Sequence, residues 1–262
     1  MIAGVIILFS GISYLTSATE NPVTGQKQRV AGMSPEQEIE VGRSAAYGMV
    51  EQHGGLSNDT RARQHVELVG ERLENTLYQR LQDSGITLPY PFDFHLLSDD
   101  QVINAFALPG GQVFITEALY LRMTHEGQLA GVLGHEIGHV IERHGAERMA
   151  SGKFFQRVAS AAGVAGGGMT TAQMASSALT AISMGYGRQA ELESDRWGVE
   201  LMVLTGYNPE HMLEVMDILE EANAGGAPPE FMSSHPKPKN RKKYILDVID
   251  ELFPSGLPPG LR

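Results

Sequence analysis

Two histidines and a glutamate stand at helical spacing near the middle of the chain. His135, Glu136 and His139 form an H-E-x-x-H pattern within residues 124–149, where apolar side chains recur at about 100° per residue. The pattern predicts one helix with both imidazoles one turn apart, on the face opposite the apolar stripe. At that spacing they can bind one zinc ion, and Glu136 lies where it can polarise a water molecule.

A further helix is predicted from residue 187 to residue 206, and it carries two carboxylates one turn apart. Glu191 and Asp195 share one face, whereas Glu193 and Glu200 lie on the opposite side. Glu191 is the natural third ligand of a zinc site that keeps one position open for water. Asp195 can orient a ligating imidazole through its free N–H. The alternative is a solvated acidic face.

Before the helix that carries His135 and His139, which we call the metal helix, the hydrophobic period changes to two, which is typical of strands. Strands are predicted at residues 92–97, 102–108 and 112–115. They would form a small antiparallel sheet whose edge can take an extended peptide by strand addition. The candidate substrate strand contains Asn104, Ala105 and Phe106, and Asn104 is an unexpected polar residue in an apolar run. A plain scaffold is the alternative.

Other helices surround these elements. They are predicted at residues 34–53, 60–81, 117–123, 208–223 and 239–252, and Ser34 and Gln37 open the first with a capping box. His235 is predicted in a Ser-Ser-His-Pro loop, and Arg241 stands near the start of the last helix. A loop histidine with a nearby arginine can reach a developing oxyanion, although a single loop histidine is more often simply exposed.

Composition limits the class of protein. The 262 residues are 42% hydrophobic, which is enough for one large core. A formal charge of −11 argues against a nucleic-acid-binding protein. The chain has no cysteine, which excludes disulfides and thiolate ligands, so a metal must be held by histidine and carboxylate. These ligand types favour zinc and leave manganese and cobalt open.

One catalytic domain is expected at residues 34–253, between an apolar segment with a linker (1–33) and a tail (254–262). The first 15 residues are apolar but shorter than a spanning helix requires. We interpret them as a signal or membrane anchor, with a buried strand or helix as the alternative. Residues 154–186 are rich in small side chains, and they predict either a mobile flap over the site or closely packed helices.

The order of the motifs resembles that of a known peptidase family. Asn104-Ala105-Phe106-Ala107-x-Pro109-Gly110-Gly111 comes first, then His135-Glu136-x-x-His139, then Glu191-x-x-x-Asp195, and finally Ser234-His235-Pro236 with Arg241. This order resembles the HtpX and CAAX-prenyl-protease family of gluzincin zinc metallopeptidases, and within it the soluble BepA/LoiP-like envelope branch. The resemblance extends over residues 34–252.

By that resemblance, His135, His139 and Glu191 bind one zinc ion per chain and Glu136 is the catalytic base. Asp195 matches the second carboxylate of the family. The implied fold is a mainly helical α+β zincin-like metallopeptidase domain, with a small antiparallel β-sheet beside the metal-binding helix.

The resemblance further implies that the strand containing Asn104, Ala105 and Phe106 lines the substrate cleft. His235 and Arg241 would face the active site and take part in catalysis. The chain departs from integral membrane members of the family because it lacks their spanning helices. It also lacks the lipobox cysteine and the C-terminal repeat array that some relatives carry.

The expected function is a zinc-dependent endopeptidase that cleaves extended or misfolded proteins in quality control of the cell envelope. It would be periplasmic or membrane-associated, with membrane attachment through the N-terminus, and would have protein or peptide partners rather than nucleic acid. A zinc-dependent chaperone or binding protein with little turnover is the alternative. A non-peptidase zinc hydrolase fits less well, because a strand beside the metal helix suits an extended peptide.

Overall fold

A computed structural model describes residues 18–30, 33–151, 173–174, 176, 178–180, 185–224, 230–235 and 241–262. The strands are β1 (Thr19–Glu20), β2 (Lys27–Gln28), β3 (Asp93–Leu97), β4 (Ala105–Ala107) and β5 (Gln112–Thr116). The helices are α1 (Pro35–Gln52), α2 (Thr60–Asp83), α3 (Glu117–Tyr120), α4 (Glu126–Ile141), α5 (Arg188–Leu204), α6 (His211–Ala224), α7 (Glu230–Ser234) and α8 (Arg241–Leu252). The predicted mainly helical α+β class is confirmed.

Some of the predicted features fall outside the described residues. These are the apolar segment 1–15 and most of the expected flap at 154–186. Within the described ranges, no helix combines the length and the apolarity needed to cross a membrane.

Helix α4 is the centre of the fold. Every residue from Gly127 to Ile141 is buried, so its histidine face is covered as fully as its apolar face. Helix α5 packs along the histidine face, and the sheet and α2 lie against other sides of α4. The histidines and the glutamate of the H-E-x-x-H pattern are therefore inside the protein, where electrostatic interactions are stronger than in water.

The metal helix ends earlier than the sequence predicts. The apolar pattern predicts one helix to residue 149, but α4 ends at Ile141 and a separate helical segment occupies residues 144–151. Arg143 breaks the helix with a φ of 56°, in the left-handed region. Its buried guanidinium donates to Glu38 Oε1 at 2.9 Å and to the carbonyl of Met33 at 2.7 Å. This long-range ion pair has no signal in the local hydrophobic pattern.

Strands β3, β4 and β5 form the sheet beside α4, in the order β3-β5-β4. The β4–β5 pair is antiparallel as predicted, whereas β3 lies parallel to β5, so the three-stranded sheet is mixed. The turn between β4 and β5 requires glycine: Gly110 has a φ of 83°, and a Cβ there would lie 2.4 Å from Ile39 Cα of α1. Helix α1 thus fixes the turn that follows β4.

The N-terminal residues pack against the end of the metal helix. Residues 20–32 are expected to be a linker, yet β1 and β2 form an antiparallel hairpin there. The side-chain amides of Asn21 and Gln28 donate to the carbonyls of Ile141 at 2.8 Å and Glu142 at 2.6 Å. The last carbonyls of a helix have no partner within it, so the hairpin completes the hydrogen bonding of α4.

Candidate metal centre

Four buried side chains from three parts of the chain converge at one point. They are His135 and His139 of α4, Glu191 of α5, and His235 just after α7, and one donor atom of each lies within 4.8 Å of the others. None of the four is more than 2% exposed. The structure therefore brings together the three ligands expected from the sequence and adds His235 to them.

The donor atoms have the spacing that a single metal ion needs. The Nε2 atoms of His135 and His139 are 3.1 Å apart. The Glu191 oxygens lie 3.7 Å from His135 Nε2 and 3.6 Å from His139 Nε2. Two ligands at about 2.0–2.1 Å from a tetrahedral zinc ion stand about 3.3 Å apart. Two imidazoles and a carboxylate at this spacing fit zinc.

Several polar atoms in the cluster have no hydrogen-bond partner of normal geometry among the described residues. They are both carboxylate oxygens of Glu136, both of Glu191, and Nε2 of His235. Buried polar atoms are nearly always paired in folded proteins, so a group of unpaired ones at one point fits the binding of a further group. A cation would satisfy the carboxylate of Glu191 and the imidazoles together.

Burial shifts the pKa values in this site toward the uncharged forms. It lowers the pKa of His135 to about 4 and that of His139 well below its usual range. Burial also raises the pKa of Glu191 to about 8. Burial and the nearby Glu191 raise the pKa of Glu136, while Arg241 and the backbone N–H of Ala107 act in the opposite direction. Neutral imidazoles keep the lone pairs that bind metal, and a cation would stabilise the carboxylates in their ionised form.

Asp195 lies where the sequence predicts a partner for a metal-ligating imidazole. Its Oδ1 is 3.0 Å from His135 Nδ1, so the ring donates there and directs Nε2 into the cluster. Arg241 donates to both oxygens of Asp195, at 2.7 and 2.6 Å. Its Nη1 is also 3.1 Å from Glu191 Oε2. Burial raises the pKa of Asp195, but Arg241 and His135 outweigh it, and the net shift is downward.

The candidate substrate strand lies beside Glu136. Asn104 is buried immediately before β4, and its Oδ1 has no hydrogen-bond partner among the described residues. Helix α7 lies next to β4, and the N–H of Phe231 donates to the carbonyl of Ile103, two residues before the strand, at 3.1 Å. The Ser-Ser-His-Pro segment at residues 233–236 is predicted as a loop, but its two serines belong to α7. His235 follows this helix directly, with its Nε2 3.4 Å from Glu136 Oε1.

Helix α5 lies close to the four donor side chains because glycines line its contact with α4. A Cβ on Gly138 would lie 2.8 Å from Ser194 Cα, and one on Gly134 would lie 3.2 Å from Gly198 Cα. Real Cβ atoms almost never come within 3.0 Å of a backbone atom. The absence of side chains therefore brings the carboxylates of α5 within ligand distance of the α4 histidines.

We expect Gly138→Ala to push α5 away from α4. Overpacking of this kind costs about 1–3 kcal/mol, and the displaced Glu191 would bind metal more weakly. Gly48→Ala in α1 is the matched control, because its Cβ would meet only Leu179 Cδ1 at an ordinary 3.5 Å. Thermal unfolding and zinc affinity of both variants check the prediction. Equal stability and affinity in the two variants would contradict it.

Two residues near the ligands were not identified from the sequence. His144 Nδ1 is 2.9 Å from His139 Nδ1, and Tyr186 stacks on the His139 ring with centroids 3.9 Å apart. Glu193, predicted on the opposite side of its helix from the ligand pair, lies 3.0 Å from His144 Nε2. His144 follows a helix break that periodicity does not reveal. The only sequence signal for His144 is that a third histidine stands five residues after His139.

Known proteins with similar sequences are peptidases, which agrees with the chemistry that the site residues allow. A family model described as peptidase family M48 matches residues 67–248. The chain is 33% identical over 193 residues to the beta-barrel assembly-enhancing protease of Escherichia coli K12, which covers 69% of this chain and 39% of that protein. It is 29% identical over 205 residues to a putative beta-barrel assembly-enhancing protease of Vibrio cholerae, covering 74% of this chain and 42% of the relative.

A eukaryotic protein is also similar. The mitochondrial metalloendopeptidase OMA1 of Arabidopsis thaliana is 28% identical over 166 residues, which covers 60% of this chain and 32% of OMA1. The chain spans about two fifths of the length of the bacterial relatives. The resemblance drawn from the motifs is confirmed, and because the family model matches more than half of its residues, the chain belongs to peptidase family M48.

Proposed function

We propose that this protein is a zinc-dependent endopeptidase that cleaves extended or misfolded protein segments. The observation that carries the proposal is the buried cluster of His135, His139 and Glu191 beside Glu136, whose carboxylate has no hydrogen-bond partner of normal geometry among the described residues. Membership of a peptidase family supports peptide-bond hydrolysis as the reaction.

In this proposal His135, His139 and Glu191 hold one zinc ion per chain. When bound, zinc supplies a Lewis acid that polarises the scissile carbonyl and lowers the pKa of a water molecule. Asp195 fixes His135 by accepting from its Nδ1–H, so that the Nε2 lone pair faces the ion.

Glu136 is the proposed general base. One of its carboxylate oxygens accepts a proton from the attacking water, and the same carboxyl delivers that proton to the amine nitrogen as the C–N bond breaks. The backbone N–H of Ala107 acts on this carboxylate, but neither oxygen has a hydrogen-bond partner of normal geometry among the described residues, which supports this role. Complete burial excludes bulk water that would compete for the proton.

His235 and Arg241 are proposed to assist in different ways. His235 Nε2 has no hydrogen-bond partner among the described residues and lies 3.4 Å from Glu136 Oε1, so it is the candidate to stabilise a developing oxyanion. The guanidinium of Arg241 is bound to Asp195 and Glu191, and it serves mainly to hold these two carboxylates in place. Its positive charge adds to the electrostatic stabilisation of the site.

The proposed substrate binds in extended form against the edge of β4, near Asn104, Ala105 and Phe106. Helix α7 lies against β4 and is hydrogen-bonded to Ile103 just before the strand. A substrate strand must therefore displace α7 and His235 before its carbonyl reaches Glu136. The described arrangement is a closed site that opens when a substrate competes for β4.

We place the proposed activity in protein quality control of the cell envelope. Two of the similar bacterial proteins are named as beta-barrel assembly-enhancing proteases, and OMA1 is named as a mitochondrial metalloendopeptidase. By analogy, the protein would act in the periplasm or at a membrane, with attachment through the N-terminal apolar segment. Residues 34–253 would form the catalytic domain.

The closed site also favours a second candidate function. A zinc-dependent chaperone or binding protein would hold extended segments at β4 and turn over little. Burial of all four donor residues is compatible with such a protein. Proteolysis assays on zinc-loaded protein distinguish the two functions.

We expect one zinc ion per purified chain, and removal of it by 1,10-phenanthroline should abolish casein cleavage. Bound zinc at a thousandfold excess over its Kd stabilises the fold by about 4 kcal/mol. For a protein of this size that corresponds to a fall in Tm of roughly 10 °C on chelation. Elemental analysis, a cleavage assay and thermal unfolding measure these effects, with His139→Ala as the variant that should not respond to zinc. Casein cleavage that persists without metal would contradict the proposal.

A further inference from the structure

A chain of hydrogen bonds leads from the Nδ1 atom of His139 through His144 to Glu193. His139 Nδ1 is 2.9 Å from His144 Nδ1, and His144 Nε2 is 3.0 Å from Glu193 Oε2. Ser194 Oγ lies farther from His144 Nδ1, at 3.4 Å. His144 is 6% exposed, so water does not replace these contacts.

The break after α4 is what lets His144 reach His139. In a continuous helix, a residue five positions later points about 140° away from His139, at 100° per residue. Arg143, in the left-handed region, turns the chain, and a new helical segment occupies residues 144–151. This turn places the His144 ring next to the His139 ring. The buried Glu38–Arg143 pair stabilises this turn.

The two nitrogens at 2.9 Å can share only one proton, and this determines the tautomer of His139. If His144 Nδ1 donated this proton, neutral His139 would carry its own ring proton on Nε2. That N–H would point at the other donor atoms and block metal binding. Glu193 accepts from His144 Nε2, so the proton of His144 stays on Nε2 and its Nδ1 becomes an acceptor. His139 then donates from Nδ1 and keeps the Nε2 lone pair free.

We propose that His144 and Glu193 are positioning residues that hold His139 in its metal-binding tautomer and orientation. The inference rests on the metal-binding part of the proposed function. His135 has the simpler form of the same arrangement, because Asp195 accepts directly from its Nδ1. The two metal-binding imidazoles are thus fixed by two carboxylates, one directly and one through an intervening imidazole.

The test measures zinc affinity by competition with a fluorescent chelator. His144→Leu removes the acceptor at His139 and should weaken zinc binding by about 10–100-fold. His144→Asn puts an amide oxygen near the position of Nδ1 and should restore the affinity to within a few-fold of the original protein. Glu193→Gln replaces a group that can only accept by an amide that can accept or donate, so an intermediate loss of zinc affinity is expected.

Gln189→Ala is the matched control, because Gln189 is exposed and donates to Glu193 at 2.9 Å without touching His144. Its zinc affinity should be unchanged. Imidazole ¹⁵N NMR on the metal-free protein should show His139 protonated on Nδ1 in the original protein and a tautomer mixture in Glu193→Gln. Folded His144→Leu with unchanged zinc affinity would overturn the inference. An original protein that binds no zinc would overturn the metal proposal itself and this inference with it.

Discussion

Glu136→Gln is expected to abolish peptide cleavage while the protein keeps its metal. The glutamine has nearly the same shape, so the buried site should pack as before. Its amide cannot accept a proton from water, and general acid–base catalysis contributes about 10²–10⁴-fold to kcat. The proposed ligands His135, His139 and Glu191 are unchanged, so zinc content should stay at one per chain.

The measurement is casein cleavage beside elemental analysis, on the original protein and the variant. Glu126→Gln is the matched control, since Glu126 lies at the start of the same helix, roughly 15 Å from Glu136 along its axis. It should keep both zinc and activity. Full activity in Glu136→Gln would exclude the proposed mechanism. One zinc in both proteins with cleavage in neither would favour the binding protein.

Arg241→Met is expected to lower the stability of the protein by about 3–5 kcal/mol, because removal of one partner leaves a buried charge unpaired. Arg241 is 4% exposed and contacts the carboxylates of Asp195 and Glu191. The loss should be larger in the metal-free protein than in the zinc-loaded protein, because a bound cation compensates for Glu191. Asp195 would remain without its partner in both.

Urea unfolding of the metal-free and zinc-loaded forms measures this effect. Arg241→Lys keeps the charge but not the two-pronged contact with Asp195, so an intermediate loss is expected. The control is Arg196→Met, whose ion pair with Glu251 is largely exposed and should contribute less than about 1 kcal/mol. A similar stability for Arg241→Met and Arg196→Met would show that Arg241 does not support the buried carboxylates.

Local patterns predicted the parts of the fold that depend on local physics. The capping box at Ser34 is formed, with Ser34 and Gln37 bonded to each other's backbone N–H. The spacing of His135 and His139 brings both rings to one point, as helix geometry requires. The contact between Asp195 and His135 follows from the four-residue interval between Glu191 and Asp195 on one helix face.

Features that depend on distant contacts could not be read in this way. The break at Arg143 is held by Glu38, more than a hundred residues earlier in the chain. Because the break was missed, the contact of His144 with His139 was missed as well. The parallel pairing of β3 with β5 and the helix at residues 230–234 also arise from tertiary packing rather than from hydrophobic period.

The separation of the hydrogen-bonding partners along the chain has a consequence for synthesis. Asn21 binds the end of α4 across 120 residues, and Arg241 binds Asp195 across 46. A ribosome adds roughly 5–20 residues per second, so the histidine motif emerges about 5–20 s before Arg241. During that interval the nascent chain carries Asn21 and the motif but lacks Arg241, which pairs with Asp195 in the folded protein. The buried cluster of His135, His139, Glu191 and His235 is thus fully supported only when nearly the whole domain has left the ribosome.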